Sequence, residues 1–165
     1  VSQTVPPQLK GEKDVWQTPS WVYEGIAAHT DGIELDPCAG ATTEIGDVNL
    51  RLEDGDDGLS ATWAYDTVFV NPPFSEKTEW LQKVVSERDN YTRCFVVTPA
   101  STGVQSWWHG YIAEHADAVW FPNGRLSYYD PIAEEETGSP PFPSAVSVYG
   151  DISASLTGWF NEHGW

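Results

Sequence analysis

The stretch Thr67-Val68-Phe69-Val70 leaves its backbone few options. β-Branched and aromatic residues in an unbroken run, bounded by turn-forming residues, read as a strand buried on both faces. This one ends abruptly on Asn71-Pro72-Pro73-Phe74. Residues 93–99 (RCFVVTP) and 144–150 (SAVSVYG) have the same character. A shorter strand, residues 32–36 (GIELD), runs into the loop PCAGATTEIG, and a marginal one covers Val48 to Leu52 ahead of the acidic turn EDGDDGLS. Between these runs the apolar residues recur at helical spacing. Thr18 is placed to cap a helix with Pro19 at its first position and Trp21, Val22 and Ile26 on one side. Residues 76–89 put Trp80, Leu81, Val84 and Val85 on one face, and residues 104–115 carry Trp107, Trp108, Tyr111 and Ile112. In AVWFPNGRLSYY, Asn123-Gly124 predicts a two-residue hairpin turn, followed by a Pro- and Glu-rich loop over 130–143. Strand and helix thus alternate, which predicts an α/β fold: a mainly parallel sheet with an antiparallel strand near the C-terminus.

The length of 165 residues fits one domain. An extended arm over residues 1–13, a folded domain over 14–150 and an aromatic tail over 151–165 are expected, with no conformation assigned to the tail. Twenty-five acidic residues against eight basic ones give a formal net charge of -17, yet nine Trp, seven Tyr and six Phe exclude a disordered acidic tail. An acidic skin on an aromatic core is expected of a salt-loving organism or its virus. An ordinary acidic protein and a DNA mimic are the alternatives. Cys38 and Cys94, far apart and without a C-x-x-C, exclude a disulfide framework or zinc ribbon. No secretory leader precedes Val1 and no apolar run reaches the ~18 residues of a membrane span, so a reduced, soluble, cytoplasmic protein without metal is expected.

Ligands of such sheets bind beyond the carboxyl ends of the strands. Asp36-Pro37-Cys38-Ala39-Gly40, Asp57-Gly58-Leu59 and Asn71-Pro72-Pro73-Phe74 all lie at or near such ends. Neither proline of the last group has an N–H, so the Pro72 carbonyl is held in one direction. The Asn71 side-chain oxygen can converge with it on one point, and Phe74 offers a flat apolar face. Such a holder suits a planar group bearing an amine. Alkylation of the exocyclic N6 of adenine is the matching reaction, because two acceptors on the NH2 favour a pyramidal, more nucleophilic nitrogen in the transition state. Loop punctuation is the plain alternative for Asn-Pro-Pro. Asp36 can reach a cationic or hydroxyl-bearing cofactor, with Ala39 and Gly40 allowing close approach. Asp57 offers a carboxylate to an adenine amino group and Leu59 a cover for its ring; in so acidic a chain a solvated turn is the alternative.

The ordered set DVWQTP, LDPCAG, DDGL, VFVNPPFS, FVVTPAST, NGRLSYY and PPFPSAVSVY resembles the phage-type, Dam-like DNA N6-adenine methyltransferases over about residues 14–149. The resemblance implies a Rossmann-like methyltransferase domain that binds S-adenosylmethionine and methylates adenine in double-stranded DNA. By motif, it places Thr18 and Pro19 near the methionine end of the cofactor and Asp36, Pro37, Cys38 and Gly40 in the first cofactor loop. Asp57 and Leu59 would hold the cofactor adenine. Asn71, Pro72, Pro73 and Phe74 would form the catalytic motif, with Phe where many members have Tyr. Ser75 and Arg125 would lie near the substrate. Glu53, Asp54 and Asp56 stay equal candidates for the ribose acid, and monomer and homodimer both stay open. RNA adenine or a protein glutamine amide would suit the same holder.

Overall fold

The three long strands use both of their faces, and this sets the layers. Val68, Val70, Cys94 and Val96 point into one apolar cluster, and Phe69, Phe95, Val97, Val146 and Val148 into another, as a pleated strand buried on both sides requires. The computed structural model describes residues 17–124, 126–130, 135–136 and 143–165. In chain order the elements are α1 (Ser20–Ala28), β1 (Leu35–Asp36), β2 (Val48–Asn49), β3 (Thr67–Val70), α2 (Lys77–Ser86), β4 (Arg93–Pro99), a wide π-type helix (Gln105–Ala113), β5 (Ala118–Trp120), β6 (Tyr129–Asp130), β7 (Glu135–Glu136), β8 (Ser144–Gly150) and α3 (Ala154–His163). Helix α2 and the π-type helix cover the first cluster with Trp80, Leu81, Val84, Trp107, Trp108 and Ile112. Helices α1 and α3 cover the second with Val22, Ile26, Leu156 and Phe160. Each such side chain taken wholly out of water contributes about 1.5–3 kcal/mol.

Six strands form one sheet in the order β2-β1-β3-β4-β8-β5. The first four run parallel, and β8 runs antiparallel to both β4 and β5. The expected class is therefore observed: mixed α/β, mainly parallel, with the reversed strand last. From β1 the chain passes outward to β2 and then returns across β1 to β3. The carboxyl ends of β1 and β3 consequently feed loops that diverge, which is where an open α/β sheet leaves a crevice.

Several local expectations need correction. Thr18 does not cap α1; Pro19 occupies the cap position, and no side chain accepts a hydrogen bond there. The hairpin at Asn123-Gly124 is absent. Gly124 does take the positive φ of 72° that such a turn needs, but β5 pairs with β8 instead. Beyond β5, Phe121 exchanges both backbone hydrogen bonds with Trp165, and the Asn123 N–H donates to the His163 carbonyl at 2.9 Å. Part of the expected 130–143 loop is a short antiparallel pair, β6 with β7; residues 131–134 and 137–142 of that loop, the 1–13 arm and Arg125 lie outside the described residues. Residues 151–165 include helix α3, started by the Ser153 hydroxyl accepting from the Leu156 N–H at 3.1 Å. Gly25 lets α1 approach it closely, since a Cβ there would stand 2.0 Å from the Trp159 ring. No described helix is long and apolar enough to cross a membrane.

Glu87, just past α2, ties the segment before β3 to that helix. Its carboxylate accepts from the Trp63 N–H at 3.0 Å, Asn90 Nδ2 at 2.6 Å and Lys83 Nζ at 2.7 Å. Burial alone would raise its pKa, but these donors outweigh it and hold the group below the usual carboxylate range. The sign follows: its contribution is full above the unfolded pKa and fades as pH falls through the lowered folded one. Glu87→Ala strands a buried N–H and an ammonium and is expected to cost about 2 kcal/mol, read by urea unfolding at neutral pH. Glu87→Gln should cost less, and an unchanged midpoint in the alanine variant would contradict this role.

Candidate active site

A cleft of about 490 Å³ opens at the carboxyl ends of β1 and β3. Its wall brings together Asp36, Pro37, Cys38 and Gly40 from the loop after β1 with Asn71 and Pro73 from the loop after β3, and Thr18 from ahead of α1. Segments up to 63 residues apart in sequence thus meet, as Gln17 and Trp80, both in the wall, show. Pro19, Asp57, Leu59, Pro72, Phe74 and Ser75 are not part of that wall. Pro72 is buried. Phe74 packs edge-on against Tyr128 with ring centroids 6.1 Å apart. Asp57 turns to its own loop, accepting from the Leu59 N–H at 3.0 Å and the Ser60 hydroxyl at 2.6 Å; the Ser60 contact above all holds its pKa low. Leu59 packs against the core cluster that includes Trp63 and Trp80.

From that acidic segment the cleft receives Gly58 and Asp56 instead. A Cβ on Gly58 would fall 1.9 Å from the Pro37 carbonyl oxygen and 2.8 Å from the Trp80 ring, so only glycine allows this approach. Trp63 secures the loop by donating its indole N–H to the Gly58 carbonyl at 2.9 Å, and it stacks on Trp80 at 6.3 Å and 21°. Among the three acids considered for a ribose, Glu53 and Asp56 reach the wall and Asp54 does not.

Arg51 was not foreseen as a site residue. Its Nε donates to the Gly40 carbonyl at 3.1 Å, and its Nη2 donates to the Thr43 carbonyl and to Glu44 Oε1, the latter at 2.8 Å. Its own N–H donates to Asp56 Oδ2 at 3.2 Å. One guanidinium therefore fastens the loop after β1 to the loop after β2. No local motif marks such a clamp. Trp80, read as a helix-face residue, and Leu52, a 79% exposed apolar side chain at the rim, were also missed as wall residues.

Two polar atoms of wall residues stand out. Thr18 Oγ1 and Trp80 Nε1 are buried without a hydrogen-bond partner among the described residues. Buried unpaired groups are uncommon and costly, and a site for a ligand is one place where they persist. The third anomaly is Asp36, 3% exposed. Burial pushes its carboxyl up to about 7, against the Cys38 N–H at 3.1 Å and the Arg51 charge, both of which pull it down. A buried carboxylate with so little compensation is suited to receive a cation.

Fold and cleft define an α/β protein with a cleft at the sheet's switch point, and with a carboxylate and a side-chain amide in one wall. Residues 6–150 match the family described as DNA N-6-adenine-methyltransferase (Dam), and the chain belongs to that family. It is also similar to the DNA N-6-adenine-methyltransferase of Haemophilus phage HP1 (strain HP1c1), at 22% identity over 153 residues that cover 88% of this chain and 87% of the phage protein.

Because the folded pKa of Asp36 lies above its starting value of 3.8, the fold keeps this proton longer than the unfolded chain does. Stability is then lost as pH rises from about 4 to about 7 and stays lowered above that window. Asp36→Asn keeps an acceptor for the Cys38 N–H and should melt higher than the parent above about pH 7, with little difference below about pH 4. Parallel Tm–pH curves for the two proteins would contradict a raised Asp36.

Proposed function

We propose that this cleft binds S-adenosylmethionine and presents it to an adenine of double-stranded DNA held at Asn71, Pro72, Pro73 and Phe74. Adenine-specific methylation of N6 in DNA is the activity of the family to which the chain belongs. The observation that carries the assignment of residues is that Asp36 and Asn71 wall one continuous cleft. The crevice between β1 and β3, with one reversed strand beside the sheet edge, supports a Rossmann-like methyltransferase fold.

The chain's residues fit the cofactor. Its positive charge matches ionised Asp36; the Thr18 hydroxyl, without a partner among the described residues, suits its polar methionine end; Glu53 and Asp56 suit its ribose hydroxyls; and Leu52 offers a cover for its ring. When bound, S-adenosylmethionine supplies an electrophilic methyl carbon on a sulfonium. Asn71 does the complementary work on the substrate. Its side-chain oxygen, together with the Pro72 carbonyl, accepts from the adenine NH2 and favours the pyramidal nitrogen, an interaction stronger in the transition state than before it. No strong base is needed for this, and holding nitrogen and methyl in line supplies much of the rate. The target must leave the base stack. Phe74, braced by Tyr128, provides a face for it, at ~1–3 kcal/mol per stacked base.

The acidic surface supports a protein adapted to concentrated salt. Against 25 acidic residues, the described residues form only the ion pairs Arg51–Glu44, Lys83–Glu87 and Arg88–Asp117, so repulsion is left to counterions. Unfolding followed from dilute to molar KCl should show stability rising with salt; a flat response would remove the halophilic reading.

Asn71→Ala is expected to lose methyl transfer by two orders of magnitude or so, while S-adenosylmethionine binding by calorimetry changes only modestly. Methylation-sensitive nuclease digestion of DNA from expressing cells reads the activity. Undiminished methylation by the variant would move the chemistry away from Asn71, and label appearing only in RNA or protein would replace the substrate.

A further inference from the structure

The cations among the described residues are mostly committed. Arg51, Lys83 and Arg88 pair with carboxylates. Arg93 bonds the Thr67 hydroxyl at 3.1 Å and the Asp151 carbonyl at 3.3 Å, at the amino ends of β3 and β4 and so at the opposite end of the sheet from the cleft. Lys77 is different. It opens α2 immediately after Phe74-Ser75-Glu76, and no carboxylate among the described residues pairs with it, although Glu76 and Glu79 stand on the same turn. Its Nζ donates to the Phe74 carbonyl at 3.2 Å and lies 5.2 Å from the centroid of the Trp107 ring.

These two contacts fix an ammonium against the tetrapeptide itself. The carbonyl anchors Nζ to the residue that ends the acceptor motif, and the nearly buried Trp107 ring, at the start of the π-type helix, forms its floor. An ammonium has three N–H donors, and among the described residues a single acceptor is engaged here. The ring face attracts the charge but offers no lone pair as an acceptor, so N–H donors remain for a ligand oxygen. An adenine held at Asn71 brings its own sugar and flanking phosphates to the surface around Phe74. On a protein this acidic, a fixed cation beside that point is the local attraction a phosphate would meet.

We propose that Lys77 anchors a phosphate of the target strand beside the extruded adenine, an inference that rests on reading Asn71-Pro72-Pro73-Phe74 as the acceptor site. The bland role, a lysine stem covering Trp107, predicts something different. A phosphate contact releases a counterion and lowers the slope of log K against log salt by about 0.9 when lost, whereas a packing role leaves that slope alone.

The experiment measures equilibrium binding of a fluorescein-labelled mixed-sequence duplex across a KCl series for the parent, Lys77→Met and Lys77→Arg. Methionine keeps an apolar stem over Trp107; Lys77→Gln serves if the methionine variant melts early. Expected are a slope reduced by about 0.9 in Lys77→Met, an affinity loss greatest at low salt that shrinks as salt rises, and a parent-like slope in Lys77→Arg. S-adenosylmethionine affinity by calorimetry should be unchanged in all three. An unaltered slope, or a loss equal at every salt concentration, overturns the phosphate contact. The reading beneath it fails separately: if parent and Asn71→Ala methylate DNA adenine alike, the acceptor site lies elsewhere, whereas normal parent methylation with an unaltered Lys77→Met slope removes Lys77 alone.

Discussion

The approach of Gly58 to the Pro37 carbonyl is the contact on which the site depends. A single added carbon would come within 1.9 Å of that oxygen, so loop and loop touch backbone to backbone. Trp63 holds Gly58 from behind through its indole N–H, and Trp80 stacks on Trp63 while forming part of the cleft wall. Glu87 in turn holds the Trp63 N–H. A chain of short polar contacts therefore runs from a carboxylate beyond α2 to the bottom of the crevice. The cleft's shape is fixed by these interior tryptophans as much as by the residues facing a ligand.

Electrostatics divides in a way the net charge conceals. Most acids face solvent, but Asp36 is enclosed, and its raised pKa reflects desolvation that Arg51 offsets only in part. Arg51 has other duties, since its guanidinium holds the Gly40 and Thr43 carbonyls. The site therefore combines a rigid loop with an undercompensated acid. That combination places an electrostatic cost in the protein, carried by one buried carboxyl and therefore dependent on pH.

Much of the sheet was legible in the sequence because burial on both faces leaves a local mark. Thr67–Val70, Arg93–Pro99 and Ser144–Gly150 are strands with the predicted limits, each an apolar, β-rich run between turn residues. That Asp36, Gly40 and Asn71 line one cleft was legible too, since clefts of such sheets open beyond the strand ends. What escaped depends on partners far away in sequence. Asn123-Gly124 carries a true local turn signal, but β5 takes its partner from β8, and Phe121 and Asn123 take theirs from Trp165 and His163, all distant in sequence. The Arg51 clamp exists only once two loops have met. Helix α3 was obscured because its aromatic residues show no clear single face, although its Ser153 cap is an ordinary local signal.

Strand β8 lies inside the sheet, between β4 and β5, yet it is made after both. During synthesis on the ribosome, β4 and β5 must wait with facing edges vacant until residues 144–150 emerge, because neither is bonded to the other. Addition in chain order can build β1 to β4 but stops at β5, which has no sheet neighbour until β8 is made. The central ladder zips shut late, around a segment separated from its neighbours by long stretches of chain, a topology that slows folding and exposes unpaired edges to other nascent chains in the interval.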